Sequence, residues 1–221
     1  MSIRIDLGGH AVDLLAERAA YLSDSQTLLI ADVHLGKDQV FRQQGLAVPA
    51  GIVTSELARL DTLIEHTRAQ RLMILGDWVH APPRPGDQWP HEIQAWRHTH
   101  QQLAVELVQG NHDRDLTGWL AEWNMIAHPR ALHLDGLHLI HEWCSDQAAG
   151  PGLSGHLHPG AVLRPGREQV RLPAFLRAGD HLVLPAFGRF TGLMDRPAFP
   201  TEQCWIIAEN RVIRLPGKIR A

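Results

Sequence analysis

The sequence predicts an α/β fold in which two β-sheets pack together in one domain, and three observations lead to this prediction. Five short apolar runs, rich in valine, isoleucine and leucine, each end abruptly in polar residues, as buried strands do where the chain enters a loop. A helical pattern separates the first two runs, which makes a strand–helix–strand unit. After residue 160 the predicted strands follow one another with only turns between them, which is typical of a mainly antiparallel sheet.

The individual elements follow from apolar spacing and turn residues. The apolar runs predict strands over residues 27–31, 71–75, 104–108, 137–140 and 152–154. Between the first two strands, one apolar stripe with spacings of three and four predicts a helix; its residues are Ile52, Val53, Leu57, Leu60, Leu63 and Ile64. Further helices are predicted over 91–103 and 115–123, the second capped by Asp115. The segment 81–90 is predicted as a loop because proline removes backbone donors. The later strands are predicted over 161–163, 170–172, 181–184, 204–208 and 211–215.

Composition narrows the class of protein. The chain has 221 residues, 44% of them hydrophobic, which is enough apolar material for one core, so residues 1–221 are expected to form a single domain. A net charge of −3 without blocks of like charge excludes a disordered chain and a basic protein that coats nucleic acid. Cys144 and Cys204 fit neither a disulfide framework nor a zinc motif, and no secretory or membrane-spanning segment is evident, so we expect a cytoplasmic protein.

Each of the five predicted strands runs into a residue of a type that binds metals. In chain order these residues are Asp32, His34, Asp77, Asn111, His141, His156 and His158. In open α/β sheets, ligands bind beyond the carboxyl ends of the strands, so we expect these side chains to converge although they are far apart in sequence. A single Asp-x-His or His-x-His pair is a weak signal, and the five strand ends together are a strong one.

These donors predict two divalent ions. Seven oxygen and nitrogen ligands exceed what one tetrahedral zinc accepts, and the absence of cysteine among them favours manganese or iron, with zinc as an alternative. One carboxylate must then bridge the two ions. Such a pair can hold a hydroxide on one side of a phosphorus atom and stabilise the attacking and leaving oxygens of an in-line displacement. The pattern therefore predicts phosphoester hydrolysis.

The same residues carry a family resemblance. The set Asp-x-His at 32–34, Gly-Asp at 76–77, Gly-Asn-His-Asp at 110–113, His141 and Gly-His-x-His at 155–158 resembles the calcineurin-like metallophosphoesterase superfamily. The runs 30–37 and 76–80 resemble more narrowly its bacterial branch of ligase-associated DNA damage response endonucleases. The resemblance implies a four-layer αββα sandwich of two mixed sheets.

Residue roles are carried over from the family position by position. The resemblance implies one metal on Asp32, His34, Asp77 and His158 and the other on Asp77, Asn111, His141 and His156, with Asp77 as the bridge. It further implies that a metal-bridging hydroxide attacks phosphorus, that His112 assists the leaving group, and that Asp113 orients His112. A histidine suits this task because it exchanges protons near neutral pH.

Several neighbouring residues were weighed as substrate contacts. Lys37 and Arg114 follow ligand motifs within three residues, which favours them as phosphate contacts over other surface cations. His80 stands where many relatives have an aspartate, so no ligand role is assigned to it; whether it lies in the cleft as a substrate contact is left open. Trp78 and Trp143 are close to ligands and could stack on a base, although packing in the core or cleft wall is the simpler interpretation. His133 and His138 are expected to point outwards on strands.

The resemblance implies an endonuclease that cuts single-stranded DNA in DNA repair, with manganese as the metal and a functional link to an ATP-dependent DNA ligase and a helicase. Two alternatives remain open. A hydrolase of nucleotides or cyclic nucleotides would suit the acidic net charge. A catalytically silent protein-binding scaffold is disfavoured, because His112 and all seven ligands are present.

Overall fold

A computed structural model describes residues 2–143, 150–164, 168–194 and 202–216. The helices are α1 (Lys37–Gln43), α2 (Ile52–Thr67), α3 (Trp89–Thr99) and α4 (Thr117–Glu122). The strands are β1 (Ile3–Leu7), β2 (His10–Leu15), β3 (Ala19–Leu22), β4 (Thr27–Ile30), β5 (Arg71–Leu75), β6 (Ala104–Val108), β7 (Ile126–His128), β8 (Ala131–Leu134), β9 (Leu137–Ile140), β10 (Gly152–Ser154), β11 (Gly160–Leu163), β12 (Val170–Ala178), β13 (His181–Val183), β14 (Gln203–Ala208) and β15 (Arg211–Arg214).

In the part of the chain that the structure describes, the first sheet has seven strands in the order β1-β2-β3-β4-β5-β6-β7. Strands β1 to β4 pair antiparallel, and β4 to β7 pair parallel. Helices α2 and α3 lie in the crossovers from β4 to β5 and from β5 to β6, because parallel neighbours need a long connection. The predicted strand–helix–strand unit is therefore confirmed.

Within the described residues, the second sheet has eight strands in the order β15-β14-β12-β13-β10-β9-β8, with β11 paired to β12. Strands β13, β10 and β9 pair parallel, and the remaining pairs are antiparallel. The mainly antiparallel C-terminal sheet is confirmed. It also takes in β9 and β10, so two of the five ligand-bearing strands belong to this second sheet.

The core lies on both faces of the first sheet. Its inner face shares one apolar cluster with the second sheet, which includes Met73 and Leu75 from the first sheet and Phe175 and Trp205 from the second. Its outer face packs against α2, α3 and α4. On the outer face of the second sheet, a smaller cluster forms around Leu176, and no helix covers it within the described residues. The two mixed sheets are thus confirmed, and the helical layer that the structure describes is the one on the first sheet.

Some element boundaries differ from the prediction. Helix α3 starts earlier, since Pro90 in its first turn needs no hydrogen-bond partner, and it ends at Thr99 rather than at residue 103. Asp115 does not cap α4: it has a left-handed backbone (φ 66°), and the N-cap is Leu116 without a side-chain cap bond. Cys204 is buried on β14, and burial raises the pKa of its thiol to about 12. Cys144 lies outside the described residues.

Among the described helices, none is both long and apolar enough to cross a membrane.

The second sheet contains a buried histidine whose titration should affect stability. The ring of His181 on β13 stacks on Trp143 at 4.7 Å between centroids, and its Nε2 lies 2.9 Å from Ser154 Oγ. Burial, together with the nearby charge of His138 on β9, lowers the pKa of His181 to about 3. The folded protein therefore keeps this imidazole neutral where the unfolded chain, with its ordinary pKa of 6.5, binds a proton.

We expect the His181→Gln variant to lose part of the acid sensitivity of the fold. In the wild type, the unfolded state binds more protons than the folded state between pH 6.5 and about 3, so stability is full above pH 6.5 and falls below it. One such proton contributes at most about 1.4 kcal/mol for each pH unit. Thermal unfolding of both proteins between pH 7.5 and 4.5 measures this difference. Equal slopes of Tm against pH would refute it.

Candidate metal centre

The five ligand-bearing strands end at one edge shared by the two sheets. Strands β4, β5 and β6 of the first sheet deliver Asp32, Asp77 and Asn111, and β9 and β10 of the second deliver His141 and His156. Main-chain bonds join the loops within each sheet: the N–H of Asp32 donates to the Gly76 carbonyl at 3.0 Å, and that of Gly155 donates to the His141 carbonyl at 3.0 Å. The predicted convergence therefore occurs, with contributions from two sheets.

A direct bond joins the two sheets at this edge. The backbone N–H of His156 donates to both carboxylate oxygens of Asp32, at 3.1 and 2.8 Å. Asp32 is fully buried, so this bond supplies a partner that a buried carboxylate needs. It also fixes the position of the β10 loop relative to β4.

Five of the predicted ligands have a left-handed backbone that non-glycine residues rarely adopt. Their φ angles are 54° at Asp32, 52° at His34, 51° at Asp77, 69° at His156 and 45° at His158. Such conformations cost roughly 1–3 kcal/mol each and persist only where the surrounding structure enforces them. Five such residues in one cluster indicate that the fold holds the backbone in a locally unfavourable conformation, and that this conformation orients the ligand side chains.

Three glycines that precede ligands make room for the cluster. A Cβ on Gly110 would lie 2.2 Å from Asp77 Oδ1, and one on Gly76 would lie 2.0 Å from His141 Nδ1. A Cβ on Gly155 would lie 2.7 Å from Asp32 Oδ2. Any side chain at these positions would therefore displace a predicted ligand. The signal for these glycines was present in the sequence, since one stands directly before the ligand in three of the motifs.

The first group of donors consists of Asp32, His34 and His158. One ligand atom of each lies within 4.8 Å of the others. The Nε2 atoms of His34 and His158 are 3.2 Å apart, and His158 Nε2 is 3.6 Å from Asp32 Oδ1. The family resemblance assigns these three residues, together with the bridging Asp77, to one metal.

The second group consists of Asp77, Asn111, His141 and His156. His141 Nε2 lies 3.2 Å from Asn111 Oδ1, 3.1 Å from His156 Nδ1 and 3.5 Å from Asp77 Oδ1. Asp77 also reaches the first group, because its Oδ2 lies 3.7 Å from His34 Nε2. The two oxygens of this carboxylate therefore face different groups, an arrangement in which one carboxylate can bridge two cations.

The chemistry of the donors fits two divalent cations. The Nδ1–H of His141 donates to the Leu75 carbonyl at 2.9 Å, so its Nε2 lone pair is left to face the Asn111 and Asp77 oxygens. Burial, and then the neighbouring charges of His158, Lys37, His112 and His80, lower the pKa of His34 to about 2, so this imidazole is neutral. Its Nδ1 is buried without a hydrogen-bond partner in the described structure. Facing acceptor atoms of this kind are stabilised by a cation between them.

His112 lies beside the donors and is oriented by the main chain. Its Nδ1–H donates to the His80 carbonyl at 2.6 Å, and its ring meets the His34 ring edge-on at 5.0 Å between centroids. Its backbone N–H donates to Asp77 Oδ1 at 3.0 Å. The half-buried ring is thereby held next to both groups with Nε2 left for other contacts.

In the described structure, Asp113, which the family resemblance implies as the residue that orients His112, makes no hydrogen bond to the His112 ring. The buried carboxylate of Asp113 accepts the N–H groups of Gly110 at 2.9 Å and Val79 at 3.3 Å. Burial raises the pKa of this carboxyl to about 6, although those backbone N–H groups act against the rise. Asp113 thus holds together the loops that carry Asp77 and His112, and the ring takes its orientation from the His80 carbonyl.

The weaker predictions have different outcomes. His80 lies in the cleft, where its ring stacks on His112 at 5.0 Å and its Nδ1 is buried without a partner in the described structure. Lys37 is half-buried, and its charge helps to lower the pKa of both His34 and His80. Arg114 is exposed. Trp78 is fully buried in the core, which excludes it from the cleft. The half-buried Trp143 stacks on His181.

The sequence prediction missed a segment that supports the site. The N–H groups of Phe187 and Gly188 donate to the carbonyls of Ala31 at 2.8 Å and Asp32 at 3.2 Å. A Cβ on Gly188 would lie 2.3 Å from the Val33 carbonyl oxygen, so this close approach requires glycine. Because the segment is remote in sequence from the ligand motifs, no local pattern pointed to it.

Comparison with known proteins identifies the family. A scan against protein-family models found no match, and a search of curated proteins found none. Among solved structures, the chain is similar to the nuclease MPE of Pseudomonas putida, with 34% identity and a TM-score of 0.83 over 97% of this chain and 100% of that one.

More distant likenesses exist to two other structures. The protein of unknown function AQ665 from Aquifex aeolicus has 18% identity and a TM-score of 0.41, over 64% of this chain and 81% of that one. Yfce, a phosphoesterase from E. coli, has 16% identity and a TM-score of 0.44, over 86% of this chain and 97% of that one. The identity and coverage of the match to the Pseudomonas putida nuclease show that this chain belongs to the metallophosphoesterase superfamily of hydrolytic enzymes, in the family that includes that nuclease.

Proposed function

We propose that the chain is a binuclear metal-dependent phosphodiesterase that cuts single-stranded DNA as an endonuclease, with manganese as its working metal. The observation that carries this proposal is the shared Asp77, whose two carboxylate oxygens face two separate donor groups. The similar Pseudomonas putida protein is a nuclease, which supports a nucleic-acid substrate. A role in DNA repair and a functional link to an ATP-dependent DNA ligase and a helicase rest on the family resemblance and stay predictions.

The residues divide the work of hydrolysis among themselves. Asp32, His34 and His158 would hold one cation and Asn111, His141 and His156 the other, with Asp77 shared. When bound, two such cations polarise the phosphoryl oxygens and make water acidic enough to act as a nucleophile. The ring of His112 reaches the same space and donates a proton to the departing oxygen of the ester.

A substrate panel tests this proposal. Circular single-stranded DNA, linear single-stranded DNA, duplex DNA, RNA, a cyclic nucleotide and a phosphomonoester are each incubated with manganese, magnesium or zinc. We expect manganese-dependent opening of the circular single strand, which has no ends and so reports endonuclease action. Hydrolysis of the cyclic nucleotide with the circle left intact would contradict the proposal.

Hydrolysis of a small nucleotide is the alternative that the net charge of −3 favours, because proteins that grip long nucleic acids are usually basic. Salt distinguishes the two activities. Binding to a strand releases counterions from many phosphates, so strand cleavage should weaken steeply as salt rises. Hydrolysis of a mononucleotide should weaken much less.

We expect the His112→Gln variant to keep its metals and to lose most of its activity. General acid catalysis typically contributes roughly 10²- to 10⁴-fold to a rate, so kcat should fall by about that factor. The metal content should not change, because His112 belongs to neither of the two donor groups. Metal analysis and strand-cleavage kinetics measure both quantities, with the His66→Gln variant on the exposed side of α2 as the control. A variant that lost its metals would indicate that His112 is a ligand.

A further inference from the structure

Two phenylalanine rings lie beside the metal centre although they come from distant parts of the chain. Phe41 belongs to α1, and Phe190 follows β13. Their ring centroids are 5.5 Å apart at an interplanar angle of 70°, and both rings are only half-buried. Phe41 also meets the His80 ring at 6.3 Å, and His80 stacks on His112. A continuous series of rings therefore leads from the catalytic histidine to the protein surface.

The folding of the core does not account for this pair. Neither ring belongs to any of the three apolar clusters of the described residues or packs against one as a partly buried member. Large apolar side chains usually contribute to a core, so aromatic rings that stay outside it and border a catalytic cleft indicate a binding surface.

The helix that carries Phe41 is anchored to the loop that carries the predicted ligand His34. Helix α1 starts two residues after Leu35, whose N–H donates to the Trp78 carbonyl at 3.0 Å, and the N–H of Lys37 donates to the His34 carbonyl at 3.2 Å. On the same helix, Arg42 forms an ion pair at 2.8 Å with the buried Asp38. The position of Phe41 is therefore coupled to the His34 loop.

The Phe190 ring is anchored from the opposite side. The preceding N–H, that of Arg189, donates at 2.9 Å to the carboxylate of the buried Glu56 on α2. One residue before Arg189, the N–H of Gly188 donates to the Asp32 carbonyl. Both rings thus lie on segments that are hydrogen-bonded to loops carrying predicted metal ligands. These bonds fix the position of the rings relative to the catalytic centre.

A cation accompanies the rings. The Nζ atom of Lys37 lies 5.8 Å from the centroid of the Phe41 ring. Aromatic rings next to a positive charge are the combination by which proteins bind single-stranded nucleic acids, since bases stack on the rings and phosphates meet the cation. An unpaired base has both faces free for such stacking, whereas a base inside a duplex does not.

We propose that Phe41 and Phe190 form a stacking subsite for the nucleobase next to the scissile phosphate, and that Lys37 contacts the adjoining backbone phosphate. This inference rests on the proposed nuclease function and deepens it. It explains a preference for single strands by the need to place an unstacked base on the rings. Because every base has a stacking face, the subsite should tolerate all sequences.

The first test uses cleavage. A single-stranded oligonucleotide carries one abasic residue at successive positions, and the cleavage rate of each bond is compared with that of the intact strand. For the wild type, we expect loss of the base at one position relative to the cut bond to slow cleavage roughly 5- to 100-fold. The Phe41→Leu and Phe190→Leu variants keep an apolar side chain without a ring, so this dependence on the base should largely disappear. The Phe41→Tyr variant should retain it.

The second test uses binding without metals. Oligonucleotides with 2-aminopurine at single positions are titrated with metal-free protein. The base at one position should leave its neighbours in the strand for the rings, so its fluorescence should change in the wild type but not in the Phe41→Leu variant. The Trp119→Leu variant, which changes another half-buried aromatic residue on α4, controls for general effects on folding. Thermal unfolding checks that every variant is folded.

The two proposals fail in different ways. Cleavage of single strands at rates that do not depend on the abasic position, or equal fluorescence changes in the wild type and the leucine variants, would overturn the stacking subsite and leave the nuclease function intact. If no nucleic acid is cleaved, the nuclease function fails, and the fluorescence experiment still decides whether the rings bind a base.

Discussion

The activity of the Asp77→Asn phosphodiesterase is expected to fall by about 10³-fold or more. A bound metal pair stabilises the charge of the transition state by several kcal/mol, and this variant lacks the carboxylate that the two metals would share. Asparagine keeps an oxygen that can accept the 3.0 Å bond from the His112 backbone, so the loop should stay in place. What it lacks is the negative charge between the two donor groups. Metal analysis should find fewer than two tightly held ions in each chain, and the rise in Tm on adding manganese should shrink.

The metal-free state supplies a second measurement for the same variant. Asp77 is 2% exposed, so its charge costs free energy in the absence of a cation, and the metal-free variant should unfold at the same temperature as the wild type or higher. The exposed Asp24→Asn variant is the control for loss of one charge. If Asp77→Asn retained both ions and its activity, Asp77 would not be the bridge.

The Gly110→Ala variant is expected to disrupt the same centre through one added methyl group. A Cβ at this position would lie 2.2 Å from Asp77 Oδ1, 2.6 Å from the Asp77 backbone nitrogen and 2.9 Å from His141 Nε2. Because one of these neighbours is main chain, a simple rotation of a side chain cannot relieve the clash. Overpacking of this kind typically costs about 1–3 kcal/mol, and here it also displaces two ligands, so we expect a lower Tm and weak metal binding.

The matched control is Gly118→Ala on α4, where an added Cβ would meet nothing within 4 Å. Alanine is favoured over glycine in a helix by roughly 0.5–1 kcal/mol, so this variant should be slightly more stable than the wild type with normal metal binding. If alanine lowers Tm and metal binding at Gly110 but not at Gly118, the loss at Gly110 is due to the clash with the metal site. Normal activity and metal binding in Gly110→Ala would contradict the prediction that the added Cβ displaces Asp77 and His141.

The ligand-bearing strands could be predicted because their physics is local. Strands such as β4 and β5 are buried on both faces, so they appear as unbroken apolar runs whose ends are sharp. The polar residue that follows each run is easily recognised, and this led to Asp32 and Asp77. Strand β1 was not predicted from the sequence; its alternating burial, as an edge strand of the first sheet, produces no such run.

The division of the strands between two sheets could not be predicted in the same way. Strand β10 pairs in parallel with both β9 and β13, and these contacts depend on tertiary structure rather than on local pattern. The apolar runs predict that the strand ends converge, and in the structure these ends come from two sheets. This arrangement lets His141 and His156 approach Asp77 from the opposite side of the cluster.

The contact that orients the His112 ring could not be predicted. The family resemblance implies that Asp113 orients His112 and does not specify through which bond. In the folded protein, the ring of His112 is satisfied by a main-chain carbonyl, which belongs to His80, and sequence patterns of side chains do not report such bonds. The left-handed backbone of residues such as His156 was equally hidden, because it is imposed by the fold against the preference of the residue.

The central claim is that two cations bind in the two donor groups and share Asp77. Crystals of the protein grown with manganese, measured at a wavelength where manganese scatters anomalously, test it most directly. We predict two anomalous peaks, one among Asp32, His34 and His158 and one among Asn111, His141 and His156, both in contact with the Asp77 carboxylate. A single peak, or a peak among His34, His80 and His112 in place of either, would contradict the claim.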